Sequence, residues 1–142
     1  MPRFVVLYHQ LPDDQSHASH WDLMFEQEEV LRTWAVDQPP FAKECLALEL
    51  PDHRPFYLGY EGPISGNRGF VTRWDGGEYT LVEEQVGRVC FELEGSKLQG
   101  RLTLTRKLTP EDSGGEVDHF WIVSFSGASA TDSSRSSEVA GS

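Results

Sequence analysis

The sequence predicts an all-β protein: a compact β-barrel of short, mostly antiparallel strands with at most one or two short helical turns. Three observations predict it. Apolar and aromatic residues cluster in runs of six to nine, separated by Gly, Pro, Asp and Ser signals at short, regular spacing. Several runs alternate with the period of two that half-buries a strand. No segment sustains the 3.6-residue period of an amphipathic helix. Many short strands joined by glycine turns imply a barrel or sandwich.

The elements follow in order. "RFVVLYH" (3–9) and "HWDLMFE" (20–26) come first, then "VLRTWAV" (30–36) and "CLALEL" (45–50). After a Pro/Gly-rich passage come "GFVTRWD" (69–75) and "EYTLVEE" (78–84), with "DGG" at 75–77 expected as the turn of a hairpin. "RVCFELE" (88–94), "LQGRLTLTR" (98–106) and "DHFWIVSF" (118–125) complete the set, with "EGS" at 94–96 as a second turn. Val89, Phe91 and Leu93 should share one buried face, as should Leu102 and Leu104. Trp34, Trp74 and Trp121 lie in these strands and are expected in the core. Only "PPFAKECLALEL" and "LTPEDSGGEV" leave room for a helical turn.

One domain, residues 1–126, accounts for the patterned sequence, and its length suffices for a real core. From Gly127 to Ser142 the chain is Ser/Gly/Ala-rich and is expected to be disordered, because it lacks apolar surface to bury. No apolar run approaches the length of a membrane span, and the N-terminal apolar run is too short for a signal peptide. A cytoplasmic protein is therefore expected, with Cys45 and Cys90 as buried, reduced thiols. The formal charge of −11 argues against a generic basic nucleic-acid binder. Contact with a polyanion would have to be local, through a metal ion or a few arginines in a cleft.

Four of the five histidines, His9, His17, His20 and His53, fall in the first 53 residues. On a strand over 20–26, His20, Asp22 and Met24 share one face, while Trp21, Leu23 and Phe25 fill the other. Imidazole and carboxylate two residues apart, backed by large apolar anchors, suit a divalent metal such as Mn, Fe or Zn. His9, at the end of the preceding strand, is the candidate third ligand, and His17 in the intervening loop is its competitor. Two other readings stay open: a solvated polar face, or Asp22 orienting His20 with no metal.

These motifs, together with "LPDHRPFY", "YEGPISG", "TRWDGGEY" and "KLQGRLTLTR", resemble in colinear order the 3′-phosphoesterase domain of bacterial DNA ligase D and its stand-alone relatives. The resemblance covers about residues 3 to 125. It implies a compact β-barrel with a manganese-dependent site that removes a 3′-phosphate or 3′-ribonucleotide during end joining. It implies His9, His20 and Asp22 as metal ligands, and His53 and Tyr57 as the catalytic pair that engages the scissile phosphate. Nucleic-acid 3′ ends are the implied partner, with ligase and polymerase repair proteins as further candidates and no membrane.

The chain departs from the ligase D pattern at three positions. Met24 replaces an arginine that would face the phosphate, and Gln38 and Cys45 stand where later basic residues are expected. These losses set a second hypothesis beside the phosphoesterase: a non-catalytic module that binds metal or DNA ends. A third, from another enzyme class, is an iron oxygenase with His20, Asp22 and His53 as a two-His-one-carboxylate triad.

Overall fold

The computed structural model describes residues 2–12, 19–39, 44–66, 68–107 and 120–128. Nine strands form one antiparallel sheet: β1 (Arg3–Gln10), β2 (His20–Gln27), β3 (Val30–Val36), β4 (Cys45–His53), β5 (Gly62–Pro63), β6 (Phe70–Gln85), β7 (Arg88–Gly95), β8 (Gln99–Arg106) and β9 (Phe120–Ala128). They pair in the order β1-β2-β3-β4-β9-β8-β7-β6, and β6 returns to β1 to close the ring. The two-residue β5 attaches to the start of β6. This is the expected all-β, barrel-like architecture. Among the described residues, no helix is long and apolar enough to cross a membrane.

The ring closes around an aromatic core. The alternation in β7 and β8 buries Val89, Phe91 and Leu93 with Leu102 and Leu104, as their spacing predicts. Phe25 stacks on Phe91 with ring centroids 4.0 Å apart and planes 7° from parallel. Trp34 meets Trp121 edge to face at 5.5 Å. Rings of this size each contribute on the order of 2–3 kcal/mol on burial. Trp34 and Trp121 are fully interior, and Trp74 packs partly buried against the same cluster. Cys45 and Cys90 are buried and unpaired with each other. Burial pushes the Cys45 thiol up, and the charge of Asp37 adds to the shift.

The expected turn at "DGG" is not a turn. Residues 70–85 form a single strand that pairs with β1 through Glu78 and with β7 from Gly77 onwards. The strand changes partner at these glycines, and Trp74 is left unmatched where the β1 register shifts between Val6 and Leu7. A Cβ on Gly77 would collide with the carbonyl of Glu94, so the glycine serves close strand approach. Asp75, the first residue of the motif, is buried and accepts the backbone N–H groups of Ser96, Lys97 and Leu98 at 2.8, 3.1 and 2.7 Å. It thereby caps the β7–β8 turn, which lies where "EGS" predicts one.

A single 3₁₀ turn, Pro55–Leu58, is the one helical element among the described residues. Its position differs from either expected stretch: β4 occupies residues 45–53, and residues 40–43 and 108–117 lie outside the described residues. Pro55 explains it. The ring fixes φ for the first helical position, and Arg54 before it is held extended at φ −76°, ψ 146°. Strand β9 runs through Ala128, paired to Gln99, so regular pairing continues past residue 126. The tail from residue 129 lies outside the described residues.

A second apolar cluster covers the outside of the ring. Val5, Leu7, Met24, Leu31 and Val71 project outwards from β1, β2, β3 and β6 and are sealed by Leu58, Tyr57, Tyr60 and Ile64. The segment from Tyr57 to Ile64 thus lies over the outer face. This explains why β1 reads "FVVL" without polar alternation: it is buried on both sides.

Candidate functional site

Where the outer cluster ends, the same strand faces become polar. On β1, Val5 and Leu7 are followed by His9; on β2, Met24 is preceded by Asp22 and His20. The antiparallel register sets His9 opposite His20. Leu11 N–H donates to Ser19 Oγ at 3.0 Å, tying together the two ends of the β1–β2 connection. The ligand atoms of His9, His20 and Asp22 all lie within 4.8 Å of one another. His9 Nδ1 is 3.7 Å from Asp22 Oδ2, and His20 Nε2 is 3.1 Å from Asp22 Oδ1. His17 lies outside the described residues.

The hydrogen bonds orient His9. Its Nε2 sits 2.7 Å from the carbonyl oxygen of Arg68, which can only accept, so Nε2 carries the proton. In the neutral ring Nδ1 then presents a lone pair towards a carboxylate oxygen that also presents lone pairs. Two acceptors face each other across 3.7 Å, a spacing at which both could act as ligands to one cation. Asp22 is buried, and its Oδ1 makes no hydrogen bond of adequate geometry among the described residues, the 3.1 Å approach of His20 Nε2 included. A buried carboxylate oxygen left so is costly unless something positive pairs with it. Two imidazole nitrogens and a carboxylate suit Mn, Fe or Zn by donor chemistry.

A cavity of about 100 Å³ opens beside these groups, lined by His9, Asp22 and Met24 from β1 and β2 and by His53, Tyr57 and Arg68 from further along the chain. His53 Nδ1 lies 2.9 Å from the Pro51 carbonyl, which by the same reasoning protonates Nδ1 and leaves Nε2 available. Tyr57, in the 3₁₀ turn, meets the His53 ring edge to face at 5.8 Å. The structure therefore brings all five sequence-designated residues to one place, three in the ligand cluster and two in the cavity wall. His53 is not in the cluster with His20 and Asp22, so the oxygenase ligand set is not assembled.

The three departures fall in different surroundings. Met24 belongs to the outer apolar cluster and borders the cavity, Cys45 points into the inner core, and Gln38 is exposed in the bend after β3. Arg73 is turned elsewhere, donating Nη1 to the Leu58 carbonyl at 3.0 Å, while its main-chain N–H donates to the Glu61 carboxylate at 2.6 Å. Arg68 is a cavity residue that reading the sequence missed. Its signal was a cation inside the glycine-bounded turn "SGNRG", which on its own looks like a connection between strands.

The profile described as the DNA Ligase D 3′-phosphoesterase domain matches residues 13–106. The matched span contains His20, Asp22, His53, Tyr57 and Arg68, while His9 precedes it. The multifunctional non-homologous end joining protein LigD of Pseudomonas aeruginosa is 34% identical over 98 residues, covering 61% of this chain and 12% of that protein. The chain thus corresponds to a small part of that relative. With the family profile matching well over half of its length, the chain belongs to the DNA ligase D 3′-phosphoesterase domain family.

Proposed function

We propose that this chain is a divalent-metal-dependent phosphoesterase that processes nucleic-acid 3′ ends in DNA end joining, removing a terminal 3′-phosphate or 3′-ribonucleotide. The observation that carries the reading is the cluster of His9, His20 and Asp22 opening into a cavity walled by His53 and Tyr57. In this reading the cluster holds the cation, with manganese the candidate, and nucleic-acid 3′ ends are the partner, alongside ligase and polymerase repair proteins. When bound, the cation supplies Lewis-acid polarisation of a phosphoryl oxygen.

The protein's own groups supply the rest. Asp22 contributes the only negative charge of the donor set, and the Arg68 carbonyl holds the His9 ring in the tautomer that presents Nδ1. Hydrolysis forms a bond from a water oxygen to phosphorus and breaks the bond from phosphorus to the 3′ oxygen. That oxygen leaves needing a proton. His53, anchored through Nδ1 to Pro51, can carry it on Nε2 and release it there without losing its anchor. The Tyr57 hydroxyl, fixed by the 3₁₀ turn, orients the phosphoryl group.

A non-catalytic module that binds metal or 3′ ends is the competing reading, favoured by the formal charge of −11 and by methionine at position 24. Primers ending in a 3′-phosphate or a 3′-ribonucleotide separate the two. Manganese-dependent release of phosphate or nucleotide, lost in His53→Ala and in Asp22→Ala, is expected of the enzyme. Manganese binding without release from either primer would leave only the binding module.

A further inference from the structure

Arg68 is the single permanently charged cation among the residues lining the cavity. Arg73 is committed to the Leu58 carbonyl and lines a separate cavity with Arg3, and Arg54 lines neither. In a chain of formal charge −11, with Asp22 in the same cavity, Arg68 is the protein's own fixed positive charge facing an anionic substrate group.

Arg68 is also held in place. Its Nε donates to the Ser65 carbonyl at 2.7 Å and its Nη2 to Ser65 Oγ at 3.1 Å, while Nη1 has no partner among the described residues. The turn that carries it is closed by Ile64 N–H to the Gly69 carbonyl at 2.8 Å. Gly69, at φ +96°, presses against the carbonyl of Gln10, where any Cβ would collide. The turn is therefore fixed to the end of β1, next to His9. One residue both anchors a ligand histidine through its main chain and carries a pre-ordered guanidinium, a fork that matches phosphate oxygens. The cavity beside it, about 100 Å³, has room for a terminal phosphoryl group.

We infer that Arg68 is a substrate-binding residue that recognises the terminal 3′-phosphate monoester, supplying from the 64–69 turn a guanidinium that position 24 lacks. The inference rests on the phosphoesterase reading and deepens it by assigning the residue of this chain that holds the phosphate.

The test uses the full chain loaded with manganese and three variants at the site. Arg68→Ala should lower kcat/KM on a 3′-phosphate primer by roughly 100-fold, the scale of losing one donor to developing phosphoryl charge. Arg68→Lys should recover part of the loss, since it restores charge without the fork. Added guanidinium ion at millimolar concentration should raise turnover of Arg68→Ala and leave wild type unchanged. A readout independent of turnover is the ³¹P line width of inorganic phosphate, which manganese on the wild-type protein should broaden and Arg68→Ala should broaden far less. Manganese affinity should be equal in all forms, and Ser65→Ala, which loosens the arginine alone, should fall between wild type and Arg68→Ala. Turnover and ³¹P broadening that persist in Arg68→Ala would overturn the inference while leaving the enzyme reading intact. So would loss of manganese binding in Arg68→Ala, because the arginine would then act only by holding His9. A wild-type protein that binds manganese but neither broadens phosphate nor cleaves the primer would overturn the enzyme reading, and the arginine's role with it.

Discussion

His9 and His20 stand opposite each other in the β1–β2 ladder with ring centroids 5.0 Å apart, and Asp22 lies between their nitrogens. The pair is produced by strand register, so the cluster is present whenever the two strands pair.

The first prediction follows from that arrangement. Asp22→Ala should weaken manganese binding by at least about tenfold, because two neutral imidazoles alone hold a divalent cation poorly. The metal-free protein should keep its melting temperature to within about 3 °C, since the residue removed is a buried carboxylate whose Oδ1 makes no hydrogen bond of adequate geometry among the described residues. Calorimetric titration and thermal melts with and without manganese measure both. Equal manganese affinity in the variant would remove Asp22 from the ligand set.

Asp75 should behave in the opposite way. Its carboxylate accepts three backbone N–H groups of the β7–β8 turn, and a Lys97 ammonium lies nearby on the Trp74 carbonyl. Asp75→Ala should cost about 2–4 kcal/mol, the consequence of leaving buried donors unpaired. Urea unfolding would detect this directly. A change below 1 kcal/mol would mean that water replaces the carboxylate.

The β2–β3 hairpin carries a conformational cost. Glu28, at φ +57°, is the only non-glycine residue with positive φ among the described residues. A left-handed conformation costs an L-residue roughly 1–2 kcal/mol, partly offset in glycine by its larger unfolded-state entropy. Glu28→Gly should therefore stabilise the protein by about 0.5–1 kcal/mol. A lower urea midpoint in the variant would show that the side chain contributes something the geometry does not reveal.

Alkaline stability should depend on Tyr79. Burial pushes its hydroxyl up from 10.0, and the Glu26 charge adds to the shift. Because the folded pKa is raised, both states hold the proton below pH 10 and the shift has no effect there. Above it the unfolded chain ionises first, so stability falls as pH rises towards the folded pKa. Tyr79→Phe loses the hydrogen bond to the Glu26 carbonyl, 2.6 Å long, and should be about 1 kcal/mol less stable at pH 7. Its stability should then fall less steeply between pH 10 and 11. Parallel curves for the two proteins would contradict the assignment.

Local pattern alone determined most of the strands and which residues face each way on them. Val89, Phe91 and Leu93, or His20 and Asp22 against Leu23 and Phe25, could be sorted because a strand's period of two is a property of the chain itself. The five candidate site residues stood out for a related reason: imidazole, carboxylate and phenol are distinctive in an otherwise apolar run, and their order resembles a known family. Other features depended on what lies across the fold. Glycine serves both turns and close approach, so residues 75–77 read as a turn until β1 and β7 were seen to pair with opposite ends of one strand. The outer face of β1 reads as a second core only because residues 57–64 fold back over it. The meeting of His9 with the carbonyl of Arg68, 59 residues away, left no trace in either local sequence. A hydrogen bond to a main-chain carbonyl depends on where the backbone runs and on no side chain's identity, so only the tertiary structure decides it.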